Sequence, residues 1–479
     1  MKTPLYPIRS LLLSLAALVL IVVVAGCQSG GGASGTGTLL RMEERKGDGR
    51  LSVFLAVKGE GPSLWMKIHS VEVLSGGTWY PLTPAREELT SDEIRANGQI
   101  LLARGGLPGG TYQALRFSMD KAAVARDGKQ IFLAINTPVL AVDFPGDLTL
   151  ARDDSTSLFL TWDTENSLES TALFTPQLDA GMQRIPIVND LAYVTCPDLD
   201  TIYIIRTDTN AVCGSIGVTG APGSIVADVE RNRIYVLAVR QSAIKVLELT
   251  SNLQIDLLRL PLTVKPTYMT VAPDGKTAYL LDETGNNLLS VNLQSGMITA
   301  QMRLGSRPKY LLFAETLNQL VVSSSFGQKV FFLDPTTLAT VRTIDTGGSP
   351  DGLLVENNTL YVAESSSNAV SIFELPSGRS KGRLTVGSKP RRFVANNNQV
   401  YVANFGGGSL SILRPGQISV ARDIRVGGNP FEMDSVQARQ WLYVNDSASG
   451  SILVVDLSTN RVVKRIELGT VPEDLAVVN

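Results

Sequence analysis

Residues 430–472 read PFEMDSVQARQWLYVNDSASGSILVVDLSTNRVVKRIELGTVP, and this stretch decides the fold. It contains four short segments rich in branched and aromatic residues, which predict β-strands. Between the last two segments, Thr459-Asn460 predicts a tight hairpin turn, because asparagine adopts the left-handed backbone conformation at low cost. The four predicted strands are Phe431–Val436, Trp441–Asn445, Ile452–Asp456 and Val462–Leu468.

The same pattern recurs along the C-terminal three-fifths of the chain. The proline that opens the first strand returns at intervals of 44, 42, 42, 40, 40 and 42 residues, and a phrase centred on tyrosine in the second strand returns in phase with it. Four strands in about 42 residues is the period of a β-propeller blade. We therefore predict an all-β fold with a seven-bladed β-propeller over residues 184–479. The marker prolines are Pro222, Pro266, Pro308, Pro350, Pro390, Pro430 and Pro472.

The two ends of the repeat region predict how the ring closes. Glu473–Val478 is a first strand with no partners after it, and Leu191 opens a second strand with no first strand before it. We expect the tail strand to complete the N-terminal blade, because closure hides both sheet edges. The alternative is an open solenoid that never closes.

Several of the repeated phrases resemble a known family. Tyr401-Val402-Ala403-Asn404 and Tyr443-Val444-Asn445-Asp446, with Val386-Gly-x-x-Pro390 as their partner, are similar to the YVTN repeat, a relative of WD40-type propellers. The resemblance covers about residues 186–479 and implies the propeller fold. It implies little about function, since propellers of this kind include surface-layer proteins, lactonases and quinoprotein-like subunits.

Residues 39–183 predict a smaller β domain. Short alternating strands are separated by turn residues such as Gly76-Gly77 and Pro108-Gly109-Gly110, which is typical of a β-sandwich. The run Leu107–Arg116 resembles a domain common in bacterial lipoproteins, with an immunoglobulin- or transthyretin-like sandwich. The predicted strands include Leu51–Leu55, Trp65–Leu74, Tyr112–Met119, Gln130–Ile135 and Ser157–Trp162.

Residues 1–26 have the pattern of a lipoprotein signal peptide. Lys2 and Arg9 precede an apolar run that is shorter than a membrane span, and the run ends in Val24-Ala25-Gly26-Cys27. This ending resembles the bacterial lipobox, which implies cleavage before Cys27 and a lipid anchor on its sulfur. The Gly/Ser-rich residues 27–38 predict a flexible tether. Gln28 after the cysteine resembles the sorting signal for the outer membrane; the alternative for the segment is an ordinary signal peptide or a membrane helix with a chance cysteine.

The composition excludes several classes of protein. With 43 basic and 45 acidic residues the net charge is −2, so nucleic-acid binding lacks its usual basic face. His69 is the one histidine, and there are three cysteines, so sites with several imidazoles, iron–sulfur clusters and covalent haem are excluded. We expect no metal and no bound cofactor. We also expect no disulfide between Cys196 and Cys213, because the predicted third strand lies between them.

The candidate binding residues directly follow the marker prolines, where the first strand of each blade enters the central channel. We expect their mixture of aromatic and charged side chains to bind a protein loop or a small ligand. The alternative is a solvated rim in which opposite charges pair across blades, for instance Arg391-Arg392 with Glu473-Asp474. The candidates are Tyr268, Lys309, Tyr310, Asp351, Arg391, Arg392, Phe431, Glu432, Glu473 and Asp474.

Two functions follow from these features. The first is a non-enzymatic cell-envelope lipoprotein whose propeller is a binding or scaffolding platform, with a surface-layer or adhesion role as a variant. The second is a lactonase- or lyase-like enzyme that uses Glu432, Glu473 or Arg392 at the channel rim. The predicted propeller contains no histidine, which disfavours the second function.

Overall fold

The computed structural model describes residues 48–126, 128–170, 172–186, 190–261, 263–305 and 307–478. The predicted signal peptide, the lipidation site Cys27 and the tether lie outside the described residues. Within the described ranges, the structure has no helix with the length and apolar character that a membrane crossing requires.

The described residues of the N-terminal part form eleven strands and one short helix, and these include every strand predicted there. The helix α1 (Ser91–Asn97) and strands β3, β4, β5, β8, β10 and β11 are additional to the prediction. The strands are β1 (Gly49–Lys58), β2 (Leu64–Ser75), β3 (Thr78–Pro84), β4 (Glu88–Thr90), β5 (Ile100–Leu107), β6 (Gly110–Arg126), β7 (Lys129–Ile135), β8 (Val139–Leu150), β9 (Ser155–Asp163), β10 (Leu173–Phe174) and β11 (Gln177–Met182).

These eleven strands are joined by hydrogen bonds into one network, in the order β10-β7-β6-β2-β3-β5-β1-β9-β11, with β4 on β2 and β8 on β6. Only two residue pairs, Thr83 with Arg104 and Pro84 with Ala103, connect β3 to β5. Apolar side chains from both sides of this link, such as Leu51 of β1 and Phe117 of β6, share one core. The connectivity does not confirm a separate two-sheet sandwich, and the domain boundary at residue 183 stays a prediction.

The rest of the described chain forms a seven-bladed propeller, as predicted. Each blade is a four-stranded antiparallel sheet. Its strands are β12 (Leu191–Cys196), β13 (Thr201–Arg206), β14 (Ala211–Gly217), β15 (Pro222–Asp228), β16 (Arg233–Ala238), β17 (Ala243–Glu248), β18 (Gln254–Arg259), β19 (Pro266–Val271), β20 (Thr277–Asp282), β21 (Asn287–Asn292), β22 (Ile298–Arg303), β23 (Pro308–Ala314), β24 (Gln319–Ser324), β25 (Lys329–Leu333), β26 (Thr340–Asp345), β27 (Pro350–Glu356), β28 (Thr359–Glu364), β29 (Ala369–Glu374), β30 (Ser380–Thr385), β31 (Pro390–Asn396), β32 (Gln399–Asn404), β33 (Ser409–Leu413), β34 (Val420–Arg425), β35 (Pro430–Val436), β36 (Trp441–Asp446), β37 (Ser451–Asp456), β38 (Arg461–Glu467) and β39 (Leu475–Val478).

The ring closes through its C-terminal strand. Blade 1 has the order β14-β13-β12-β39, and blades 2 to 7 follow as consecutive groups of four from β15 to β38. Tyr193 of β12 pairs with Ala476 of β39 in an antiparallel register. The innermost strands also contact one another around the ring, with β39 between β35 and β15. The predicted closure is therefore confirmed, and the open solenoid is excluded.

Apolar cores between neighbouring blades hold the ring together. Leu410 and Ile412 of blade 6, for example, pack with Leu442 and Val444 of blade 7. A single blade cannot bury its apolar face alone, so each repeat depends on its neighbours. Short 3₁₀ helices connect some strands, at Pro197–Leu199, Val239–Gln241, Glu315–Leu317 and Gln437–Arg439.

In two places, a recurring tyrosine contacts a turn asparagine of the next blade. The Tyr193 hydroxyl donates a hydrogen bond of 3.0 Å to Asn252 Oδ1 in the turn of the next blade, and the Tyr443 hydroxyl contacts Asn210 in the same way. Both asparagines have positive φ, as their turn position predicts. This contact links the second strand of one blade to the outer hairpin of the next.

The N-terminal part packs against blade 1. Phe54 of β1 and Leu101 of β5 lie in one apolar cluster with Tyr203 of blade 1. Next to this cluster, the Ser52 and Tyr203 hydroxyls are 2.8 Å apart. Arg86 forms an ion pair of 2.6 Å with Glu467 of blade 7. In addition, strand β9 of the smaller part contacts β14, the outermost strand of blade 1, and covers it.

The strand register also explains the two described cysteines. Cys196 pairs with Thr201, which in turn pairs with Gly217 at the far end of β14 from Cys213. The strand β13 lies between them, as predicted, and both cysteines are free.

Candidate functional site

Each inner strand of blades 2 to 7 begins with its marker proline, and a bulge follows directly. The register shifts between the proline and the second or third residue after it in all six strands. A bulge re-aims side chains that a regular strand would alternate between faces. The two residues after each proline can therefore reach the channel, while the third residue, such as Met269 or Leu353, is buried in the core between blades.

A cavity of about 320 Å³ lies at this end of the channel, and eight of the ten predicted residues line it. The other two, Tyr310 and Asp351, contact the lining residue Arg392. The structure thus brings all ten candidates into one place. The eight lining candidates are Tyr268, Lys309, Arg391, Arg392, Phe431, Glu432, Glu473 and Asp474.

Arg392 is the centre of the site, although it is only 5% exposed. Its Nη1 donates to Asp351 Oδ1 at 2.6 Å, and its Nε donates to a carboxylate oxygen of Glu432. Its guanidinium carbon lies 4.6 Å from the ring centres of Tyr310 and Phe431. Burial lowers the pKa of Arg392, but the two carboxylates outweigh that effect and raise it well above its ordinary value. The side chain is therefore a permanent cation that joins blades 4 to 7.

Arg391 extends this cluster toward the opening. Its Nε donates to Asp351 Oδ2 at 3.0 Å, so Asp351 accepts from both arginines. Its guanidinium lies 4.4 Å from the Phe431 ring centre and 5.1 Å from that of Phe405. The arginine–aromatic contacts form an apolar wall with a positive charge behind it.

The predicted charge pairing across blades exists with different partners. The alternative prediction pairs Arg391 and Arg392 with Glu473 and Asp474, whereas in the structure the arginines bind Asp351 and Glu432. Blades 5 and 7 are the direct neighbours of blade 6, and their carboxylates reach the arginines first. As a result, Glu473 and Asp474 have no ion pair with a described residue.

The acidic side of the cavity consists of Glu432, Glu473 and Asp474. Asp474 is 9% exposed and accepts backbone N–H bonds from Ile225 at 3.0 Å and Leu475 at 2.8 Å. Burial, and then the charge of Glu432, raise the pKa of Asp474 to about 8. Burial also raises the pKa of Glu432 and of Glu473. These carboxyl groups therefore hold protons more tightly than ordinary acids do.

The basic side of the cavity lies on blades 3 and 4. Lys309 Nζ and Arg307 Nε both donate to Glu283 Oε1, at 2.6 and 2.7 Å. Lys265 lines the same wall and has no ion pair with a described residue. A second cavity of about 540 Å³ adjoins this wall and reaches the exposed ring of Phe326.

Several lining residues were not predicted. Gly223, Ser224 and Thr267 occupy the two positions after their prolines, so the repeat register alone could have found them. Lys265 comes just before a marker proline, and Glu283 follows the second strand of blade 3. Gly223, Ser224 and Thr267 have neither a charge nor a ring, and Lys265 and Glu283 do not follow a marker proline, so the pattern that predicts the other residues does not include them.

Other buried carboxylates near this face have a structural role. Asp282 accepts the backbone N–H groups of Val264 and Lys265, at 2.7 and 3.1 Å, and Asp446 accepts that of Asn429 at 2.8 Å. These bonds fix the loops that enter the inner strands. His69, 51% exposed and 3.1 Å from Asp120, is a surface residue of the smaller part, as expected.

A groove of about 340 Å³ lies elsewhere, between the outer strands of blades 5 and 6, and contains none of the predicted residues.

Among the residues that the structure describes, no group of three or more His, Cys, Asp or Glu side chains is placed to hold a metal ion.

Comparison with known proteins supports the fold. No protein-family model matches the sequence, and no curated protein sequence matches it. A functionally unknown protein from Desulfotomaculum acetoxidans is similar in structure, with 14% identity, a TM-score of 0.53 and coverage of 60% of this chain and 99% of that one. A candidate 6-phosphogluconolactonase from Bacteroides fragilis has 12% identity, a TM-score of 0.53 and coverage of 62% and 100%.

The dihydro-heme d1 dehydrogenase NirN is also similar, with 14% identity and a TM-score of 0.48 over 60% of this chain. This chain spans 65% of the length of that dehydrogenase. The two structures with a TM-score of 0.53, at 12% and 14% identity, indicate a shared fold and nothing finer. The resemblance to the YVTN family therefore stays a prediction.

Proposed function

We propose that the protein is a non-enzymatic lipoprotein of the cell envelope, whose propeller is a platform that binds a protein or small ligand at the cavity around Arg392. The observation that carries this proposal is the convergence of all ten predicted residues on one cavity. Aromatic walls with a few charged groups are typical of binding sites.

The state of the charged groups supports binding over catalysis. Arg392 forms ion pairs with Asp351 and Glu432, and these contacts hold the cavity in shape. The one histidine of the sequence, His69, belongs to the smaller part, so the cavity has no histidine that could act as an acid or base. A binding platform needs a fixed, charged and partly apolar surface, and this cavity has those properties.

The binding proposal is tested by photo-crosslinking in intact cells. A photoreactive phenylalanine replaces Phe326, which is 68% exposed at the adjoining cavity, and in the matched control it replaces Phe132, which is 65% exposed in the smaller part. We expect a specific crosslinked envelope component from position 326 alone, and its loss when Lys265→Ala is added. Identical products from both positions would contradict the proposal.

The envelope location is proposed from the sequence alone. We expect the native protein in the outer-membrane fraction with a lipid on Cys27, and the Cys27→Ser variant in the soluble fraction, because the acyl chains supply the membrane affinity. A Cys27→Ser variant that stays in the membrane fraction would contradict the proposed lipid anchor. It would not bear on the proposed binding site.

A lactonase- or lyase-like enzyme is the second candidate, and one observation favours it. A carboxyl group that burial has given a pKa of about 8, as for Asp474, is suited to acid–base chemistry near neutral pH. The likeness to a candidate lactonase concerns the fold alone at 12% identity. Turnover of lactone substrates by the native protein, lost in Asp474→Asn, would favour this candidate.

A further inference from the structure

The charges of the cavity are divided between two sides of the ring. Lys265, Arg307 and Lys309 belong to the entrances of blades 3 and 4, and Glu283 is the one carboxylate bound to two of them. The basic side therefore has more positive than negative groups. Lys265 is exposed and has no ion pair with a described residue, so it is available to an anion.

On the opposite side, the cations of Arg391 and Arg392 are matched by the carboxylates of Asp351 and Glu432, which leaves Glu473 unpaired among the described residues. Glu432 shares Arg392 with Asp351, whereas Glu473 has no ion pair with a described side chain. Asp474 is held by backbone N–H groups. These carboxyl groups precede β39 or lie at the start of β35, on blades 1 and 7. The inner strands contact each other in sequence around the ring, which places blades 1 and 7 two or three blades away from blades 3 and 4.

The two sides face each other across one cavity without closing on each other. Lys265 and Glu473 both line it, and no ion pair joins them. Aromatic rings also belong to this site: Tyr268 lies against Tyr310 with ring centres 4.6 Å apart, and Phe431 lines the cavity beside Arg392. The cavity thus offers a ligand a cation at Lys265, aromatic surface and a carboxylate at Glu473, both charges being unpaired among the described residues.

We infer that the ligand of this cavity is a small zwitterion, an amino acid or short peptide with free termini, whose carboxylate binds Lys265 on the basic side and whose ammonium group binds Glu473 on the acidic side. The inference rests on the proposed binding function and names the ligand class for it. A volume of about 320 Å³ is at the lower end of the range of small-molecule pockets, so it admits a small molecule.

The test uses the dipeptide Ala-Phe and its capped forms, with binding to the native protein measured by isothermal titration calorimetry at neutral pH. The capped forms are the N-acetyl dipeptide, the C-terminal amide and the doubly capped dipeptide. We expect the free dipeptide to bind at least tenfold more tightly than either singly capped form, because each cap removes one charge. Equal binding of all four forms would overturn the inference, and so would no binding of the free dipeptide.

Variants assign each end of the ligand. We expect Lys265→Ala to abolish the preference for a free carboxylate and Glu473→Gln to abolish the preference for a free amine. The matched controls are Lys276→Ala and Glu315→Gln, which change exposed residues at the opposite ends of the inner strands of blades 3 and 4. Controls that change binding as much as the site variants would overturn the inference.

Failure here is distinguishable from failure of the proposed function. If no zwitterion binds while position 326 still crosslinks a specific envelope component, the ligand class is wrong and the binding platform stands. If both experiments fail, the platform itself is contradicted.

Discussion

A buried arginine with two carboxylate partners is the residue on which the site depends. Its side chain is 6% exposed, and those of Asp351 and Glu432 are 8% and 10% exposed. Taking three charges out of water costs free energy, which their mutual contacts offset only while all three are present. Arg392 is therefore a structural requirement of the cavity before it is a ligand contact.

Replacing Arg392 leaves two buried carboxylates without their cation. We expect Arg392→Ala to lower the free energy of unfolding by about 3–5 kcal/mol at pH 7, the range for breaking a buried ion pair from one side. Chemical denaturation followed by circular dichroism measures the loss. Adding Glu432→Gln to the variant should recover part of it, since one unpaired charge is removed, and a double variant that is still less stable would contradict this account.

Asp474 predicts how stability depends on pH. Its pKa rises from an ordinary 3.8 to about 8 on folding, so the folded state binds a proton more tightly than the unfolded state does. The stabilisation is complete below pH 4 and is lost as the pH rises through 8. We expect thermal unfolding midpoints to fall over this window in the native protein and to fall less steeply in Asp474→Asn.

Two other carboxyl groups determine how the Asp474→Asn experiment is interpreted and controlled. Asp434, with a pKa that burial raises to about 6, leaves part of the slope in the Asp474→Asn variant. The exposed Asp256 of β18 gives the matched control Asp256→Asn, which should keep the full slope. A native midpoint that is flat or rises between pH 5 and 8 would refute the assignment.

The sequence located the site residues but could not give their partners. The two positions after a marker proline are fixed by the repeat, and the bulge at that point brings both to the channel. Which carboxylate pairs with an arginine depends on the distance between side chains of neighbouring blades, and the repeat pattern does not give that distance. That is why Asp351 and Glu432 bind the arginines in place of Glu473 and Asp474.

The strand β39 is the element that closes the ring. It pairs with β12 on one side, and its backbone is also bound from neighbouring blades. Val477 N donates to Asp434 Oδ2 at 2.9 Å in blade 7, and Asp474, just before the strand, accepts from Ile225 N of blade 2. Two carboxyl groups, the half-buried Asp434 and the buried Asp474, thus hold a four-residue strand in place.

Removing one backbone donor tests this arrangement. Val477→Pro deletes the N–H whose hydrogen bond Asp434 accepts, and it leaves that half-buried carboxyl group with one fewer partner. We expect a loss of about 1–3 kcal/mol, the cost of an unsatisfied buried polar group, and aggregation through the uncovered edge of β12. Unfolding and light scattering measure the two effects.

Val477→Ala is the matched control, because it keeps the N–H and removes only side-chain carbons. It should cost less than Val477→Pro and should not aggregate. If the two variants behave alike, the backbone bond to Asp434 does not hold the strand.

At the level of elements, the propeller was largely predictable and the smaller part was not. The blades repeat, so each uncertain strand is checked by its counterparts, and Asn210, Asn252 and Asn460 have the positive φ that their turns predict. The smaller part has no repeat to fix its register. Its strands were found, but the network that joins them at Thr83 and Pro84 depends on pairing between distant segments.

The whole molecule is more than a propeller with an appendage, because the smaller part covers the closing blade. In β1, the side chains of Leu51, Val53 and Leu55 enter the smaller part's own core, while Phe54 faces Tyr203 of blade 1 with ring centres 6.0 Å apart. A strand with apolar residues on both faces is buried on both faces. The run Leu51–Leu55 therefore contained a signal for this contact, although not for its partner.

The junction protects an edge that would otherwise be exposed. The strand β14 is the outermost strand of blade 1, the blade whose inner strand comes from the other end of the chain. An uncovered edge there would be free to pair with other chains. Serine contacts such as Ser157 with Ser215, at 2.9 Å, continue the junction along β9 and β14.

Phe54→Ala should therefore destabilise the propeller as well as the smaller part. Phe54 is 1% exposed, and removing a buried phenylalanine costs about 3–5 kcal/mol because a cavity replaces its contacts. We expect a lower unfolding midpoint and faster amide exchange in β14, β12 and β39, read by mass spectrometry. Phe132→Ala, at a side chain that is 65% exposed, should change neither quantity. Faster exchange confined to β1 and the strands paired with it, β5 and β9, would mean that the two parts are stable independently. Closure of the ring would then depend on β39 alone.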